Sequence, residues 1–209
     1  MASVFNPGPT GFLPVNLLGG RVYSGATRSI PIASGYAQNI GFGDLVTVSS
    51  DGVITRVDTS SGAKVAFAAA PVGIFVGCSY TDPTLKYKLF DQNWTSGTVA
   101  SDAVAVVVDD PDAVFEVTLT NGSGTQYTAS AATQSNVGNN IGYYQPATFV
   151  NAGGNSTVSG NLASANTTST LPLRIIAVVP ESALSDGTFT RVQVIYNAGL
   201  HFYRQATGI

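Results

Sequence analysis

The chain has 209 residues, 44% of them hydrophobic and 10% charged, with a net charge of −3 and a pI of 4.8. Its nine Lys and Arg are scattered; this excludes the clustered positive charge that nucleic-acid binding needs, and no apolar run reaches the ~18 residues of a membrane-spanning helix. Ser, Thr, Asn and Gly must therefore cover much of the surface. Such a skin suits packing against other protein, where charges are costly to desolvate, or the polar coat of a secreted β-domain.

Met1–Gly20 combines Pro7, Pro9 and Pro14 and several glycines with Val4, Phe5, Phe12, Leu13, Leu17 and Leu18. The prolines and glycines prevent a helix, and with no charged start they argue against a signal peptide. The stretch is too apolar for a solvated linker. It reads as an extended arm, residues 1–20, leaving a β-domain of residues 21–209. Phe5, Pro7, Pro9, Phe12, Leu13, Pro14, Leu17 and Leu18 are its candidate partner-binding residues. The alternative is a terminal segment packed on its own core.

Ile30-Pro31-Ile32 suits an edge strand, where a missing N–H is harmless. Leu45–Ser49 and Val53–Val57 flank Ser50-Asp51-Gly52, a hairpin signal. Pro71–Tyr80 is a third strand, and its glycines at 73 and 77 predict a bend, a bulge or a close backbone approach. Ala63–Ala70 alternates weakly and reads as a strand between Gly62 and Pro71. Tyr87–Trp94 mixes aromatic and polar residues. Val99–Val108 is a buried strand stopped by Asp109-Asp110-Pro111-Asp112. In Val114–Thr120 the alternation places Phe115, Val117 and Leu119 on one face.

Ser130–Asn136 is the one helix candidate, capped by Gly138. The tract 149–170 reads as a long loop or weak strands. Leu171–Pro180 is another buried strand, and Phe189–Tyr196 alternates, with Val192, Val194 and Tyr196 on one face. Leu200–Arg204 closes the series. Eight to eleven short strands at turn-separated spacing predict an all-β fold, an antiparallel sandwich or barrel with at most one short helix.

Chemistry-bearing residues are few. Cys78 lies inside an apolar run and reads as a buried, inert thiol. His201 is the one histidine, and it reads as a structural or surface residue, because a triad needs many groups positioned together and no nucleophile elbow accompanies it. Asp109, Asp110 and Asp112 lack the rest of a calcium loop and read as a turn. Asn93, Asn121, Asn155 and Asn166 match the glycosylation pattern, but such matches arise by chance in so Asn/Ser/Thr-rich a chain. No acid, base and nucleophile set is visible, so an enzyme is not expected, and nothing calls for a cofactor or metal.

GFGDLVTVSSDGVITRVD, APVGIFVGCSYTDP, VVVDDPDAVFEV and IYNAGLHFYRQATGI together resemble the head decoration (cement) proteins and related small virion proteins of tailed phages, marine ones in particular. The resemblance implies a non-enzymatic protein on the outer capsid surface. Its partners would be the major capsid protein and itself, as a homotrimer at three-fold or quasi-three-fold positions, with no nucleic acid and no membrane. It would tie capsomers together against internal DNA pressure, with the arm adding a strand to a partner's sheet. The competing reading is a carbohydrate- or receptor-binding β-module of a fibre or tail. Its aromatic platform would be Trp94 with Tyr87 and Tyr80, or Tyr143-Tyr144.

Overall fold

A computed structural model describes residues 8–123, 126–146, 150–183 and 189–206. The protein is nearly all β, with 45% strand and 5% helix. Its strands form two sheets, one containing a closed five-stranded barrel and the other a smaller five-stranded barrel whose ends meet through a single bridge.

The small barrel comprises the strands β3 (Arg28–Pro31), β4 (Leu45–Val48), β5 (Ile54–Arg56), β7 (Gly73–Thr81) and β9 (Val104–Val108). They run in the order β3-β9-β7-β4-β5, with β8 (Lys88–Asp91) appended to β7. A parallel bridge between Ile32 and Ile54 joins the two ends of that path. The predicted hairpin is β4–β5, in the register Val46↔Arg56 and Val48↔Ile54. Both glycine expectations in β7 hold. The register slips between Phe75 and Gly77, where Gly77 takes a positive φ. At Gly73 a Cβ would collide with the Val108 carbonyl, so only glycine lets β7 and β9 approach so closely.

The large barrel comprises β10 (Ala113–Ser123), β12 (Asn140–Gln145), β13 (Ser159–Asn166), β14 (Leu173–Val178) and β15 (Arg191–Tyr196). Its order is β13-β12-β14-β15-β10. A parallel pairing of β13 with β10, Leu119↔Gly160, closes the ring. β10 is its organiser. Its first half pairs with β1 (Leu13–Leu17) and β15, and its second half with β13 and β11 (Gln126–Ala129). β2 (Arg21–Val22) adds to β1, and β6 (Gly62–Lys64) adds to β12. As the alternation predicted, Phe115, Val117 and Leu119 meet Val192, Val194 and Tyr196 in one core.

The two cores share strands. Val46, Phe75 and Val107 point into the small barrel. Their neighbours Leu45, Ile74 and Val108 join the large-barrel core instead. Strands buried on both faces need no polar positions, which is why PVGIFVG and AVAVVV read as continuous apolar runs.

Four expectations are corrected. Residues 12–17 do not leave the domain: β1 is a strand of the chain's own sheet, paired with β10 over Leu13↔Glu116 to Leu17↔Ala113. Its amide and carbonyl groups are satisfied there, and Phe12 sits in the core. The strand over Ala63–Ala70 shrinks to β6, because alanines offer little to pack; Phe67 instead lays its ring on Tyr143 and Tyr196. The helix over Ser130–Asn136 is a single 3-10 turn, Gln134–Asn136, closed by a Thr133–Asn136 capping box. The short α-helix lies elsewhere, α1 at Pro180–Ala183. Leu200–Arg204 is not a strand but a 3-10 turn, Phe202–Arg204, that caps on His201. Within 149–170, the weak-strand alternative is the one realised, as β13.

Candidate functional site: an exposed apolar hairpin and a buried clamp

The predicted partner-binding residues divide into three groups. Phe5 and Pro7 lie outside the described residues. Pro9 and Phe12 are buried, Phe12 completely, edge-on to Phe115 with its N–H donating to the Gly43 carbonyl at 3.0 Å. Leu13, Pro14 and Leu17 are half-buried in β1. Leu18 alone faces outward, beside Val15 and Val22 on the β1–β2 hairpin. The apolar content of residues 9–17 is thus largely used by the protein's own core.

The aromatic platforms also go inward. Trp94, Tyr143 and Tyr144 are fully buried, and Tyr80 stacks edge-on to Trp94 inside the small barrel. Tyr87 is the one member left at the surface.

Apolar groups that do reach solvent concentrate on the β7–β8 hairpin and the loop beside it. Phe90 is 83% exposed, and Leu85, Tyr87 and Val99 are each more than half exposed. Strand alternation explains the arrangement. Leu89 turns onto the small-barrel core, so Phe90 must turn away. The hairpin is nonetheless firmly built. Asp82 Oδ1 accepts from the Thr84 and Leu85 amides at 2.7 Å each. Asp102, across a hollow of about 300 Å³, accepts from the Thr81 amide at 2.9 Å and from Thr81 Oγ1 and Lys88 Nζ at 2.8 Å. Those bonds, Lys88 first, hold the Asp102 carboxyl far below the usual carboxylate range. With the backbone already ordered in this way, the exposed side chains are the main source of entropy left to lose if the surface were covered. Lys88–Asp91 gave only a mixed pattern in the sequence, and what exposes Phe90 is the pairing with β7.

Beneath the surface, a polar clamp joins the barrels. The fully buried Asp44 carboxylate accepts from the Gly41 amide at 2.8 Å and from Ser156 Oγ at 2.5 Å, and it pairs with buried Arg56 at 3.4 Å. Burial pushes the Asp44 pKa up, against the pull of Arg56. Around it, the Phe42 amide donates to Gly154 O and the Ser156 amide to Phe42 O. Asp44 and Arg56 belong to the small barrel's hairpin region, and Ser156 precedes β13. Nothing in the sequence links Gly43-Asp44 to a serine more than a hundred residues away.

The remaining candidates have structural partners. The Cys78 thiol is buried, contacts the Asn93 carbonyl at 3.5 Å, and has its pKa pushed up to about 12 by burial, far from the reactive thiolate range. Both ring nitrogens of buried His201 face main-chain groups, Val72 O and the Tyr203 amide. In the turn before β10, Asp109 pairs with Arg28 and Tyr203, Asp112 pairs with Arg204, and Asp110 Oδ1 accepts the Asp112 amide. No helix among the described residues is long and apolar enough to cross a membrane.

No family model, curated protein or solved structure matches the chain.

Proposed function

We propose that this chain is a virion structural protein, a decoration or cement protein that binds the outside of a tailed-phage capsid and stabilises contacts between capsomers without enzymatic activity. The observation that carries the reading is the β7–β8 hairpin. Leu85, Tyr87 and Phe90 stand exposed on a frame already fixed by Asp82 and Asp102, in a chain with only 10% charged residues. An exposed apolar tip on a frame whose charges are already paired or hydrogen-bonded, as Lys88 is with Asp102, fits a protein–protein contact, since aromatic groups can be buried at its centre with the charges left at its rim. The major capsid protein is the partner in this reading, and the protein acts as a homotrimer, which repeats a modest contact three times and gains avidity.

The test is cosedimentation with undecorated particles. Wild type binds and raises the temperature at which the particles release their DNA. Tyr87→Ser/Phe90→Ser folds normally and loses at least tenfold in occupancy. Full occupancy of that variant overturns the hairpin as contact, and absence of any particle binding by wild type overturns the function. Specific glycan binding, read on an array, would favour the carbohydrate-binding module instead. Sedimentation velocity reads the trimer.

A further inference from the structure

The chain beyond β15 runs from the large barrel across to the small one. After Tyr196, the Asn197 side chain donates to the carbonyls of Ser169 and Leu171 at 3.0 and 2.9 Å. Five residues on, the Phe202 amide donates to Pro71 O at 2.9 Å, at the entrance to β7. Tyr203 OH donates to Asp109 at 2.8 Å, and Arg204 reaches Asp112 at 2.6 Å, both in the turn between β9 and β10.

At the centre of this crossing lies His201, 1% exposed. Its Nε2 is 2.9 Å from Val72 O, a group that can only accept, and its Nδ1 is 3.2 Å from the Tyr203 amide, a group that can only donate. The pair of contacts selects one form of the ring, the neutral imidazole with its proton on Nε2. A second proton on Nδ1 would meet the Tyr203 N–H head on. We infer that residues 197–204 are a strap that clasps the two barrels together at neutral pH and is released by mild acid, with His201 as the catch.

The surrounding charges agree with that direction. The segment at 71–72 offers His201 only carbonyls, and the end of β15 offers the Tyr196 ring at 5.2 Å. From the strap itself come the Tyr203 ring, at 5.3 Å, and the Arg204 cation, which opposes a second positive charge. Asp109 and Asp110, in the turn before β10, favour it, but Asp109 is already held by Arg28 at 2.8 Å and by Tyr203 OH. Arg28, from β3, also lies over the Tyr203 ring. Burial is the largest influence and holds the His201 pKa below the usual histidine value. The folded chain therefore binds this proton more weakly than the unfolded chain. The strap's stability is full above the ordinary histidine pKa of about 6.5 and is lost as pH falls through the lower, folded value.

One histidine in the chain makes the test direct. Imidazole ¹⁵N shifts of the full-length protein should report the Nε2–H tautomer at pH 7.5 and a titration midpoint below 6.5. Amide exchange at Phe202 and Tyr203, corrected for intrinsic rates, should lose at least tenfold in protection between pH 7.5 and 5.0. In His201→Gln the side-chain amide still donates to Val72 O but does not titrate, so protection should change little over that interval. The inference is overturned by an Nδ1–H tautomer, by a midpoint at or above 6.5, by protection that persists at pH 5.0, or by the same acid loss in His201→Gln. Should that variant not fold, the wild-type shifts and exchange rates decide the matter alone.

Discussion

The two barrels have the same number of strands but are put together in different ways. The small barrel uses one continuous stretch, from β3 to β9, and its central hairpin is a short local turn between β-branched runs. The large barrel takes β10–β15 from the second half of the chain, and its sheet borrows β1 from the start and β6 from the middle. It closes through the parallel contact of β10 with β13. Both rings close through a parallel contact, a single bridge in the small barrel and a strand pairing in the large one, and each also joins strands distant in sequence, β3 with β9 and β10 with β15. In both barrels a hairpin such as β4–β5 leaves a local signature, whereas a contact between distant segments, such as Ser156 on Asp44, leaves none.

Five substitutions would sharpen or break this contrast, beginning with the largest effects. Phe12→Ala should destabilise by about 3–5 kcal/mol through the cavity it leaves in the large barrel. Asp44→Ala should cost a similar ~3–5 kcal/mol, because the buried Arg56 would lose the Asp44 carboxylate and the Gly41 amide and Ser156 hydroxyl their acceptor. Urea melts followed by Trp94 fluorescence, which reports the small barrel, and by circular dichroism, which reports both, would test them. If the barrels are one cooperative unit, both probes shift together in both variants. A Phe12→Ala melt in which the Trp94 signal does not move would show that the small barrel stands alone.

Gly73→Ala comes next, at about 1–3 kcal/mol, because the added methyl meets the rigid Val108 carbonyl rather than a movable side chain. Ser156→Ala should cost about 1–2 kcal/mol for the lost hydrogen bond to a buried carboxylate. Thermal melts rank these two. The smallest stability effect belongs to Phe90→Ser, within ~0.5 kcal/mol of wild type, because the side chain touches almost nothing in the free protein. That variant separates surface from core: no change in melting, with loss of partner binding.

Much of the small barrel was legible in the sequence. Asp51-Gly52 marked the hairpin, the glycines of β7 marked the close approach and the bulge, and AVAVVV marked a buried strand. In the large barrel, β10 and β15 announced their inner faces by alternation. Residues 12–17 were misread because composition records how apolar a segment is, not which surface covers it. Prolines at 9 and 14 suggested an arm, yet Pro14 is tolerated in β1 beside a register shift opposite β10. The aromatic platforms failed for a related reason. Large aromatic rings mark core and binding sites alike, and only the pairing of β8 with β7 reveals that Phe90 is outside while Trp94 is inside. The Asp44 clamp was invisible because a glycine–aspartate pair before a strand reads as an ordinary turn.

The pairing of β1 with β10 joins residues about a hundred positions apart, as Leu13↔Glu116 shows. During synthesis β1 emerges first, and its partner strand appears only after the whole small barrel has been made. At ~5–20 residues per second, an apolar strand waits for several seconds or more with its edge unpaired, while the small barrel has its full sequence and free time to fold. The expected order of events is small barrel first, then β10, then capture of β1. That interval is when the chain is most exposed to mispairing with a second nascent copy, so slow translation of residues 20–115 should lower the soluble yield more than slow translation of residues 120–200.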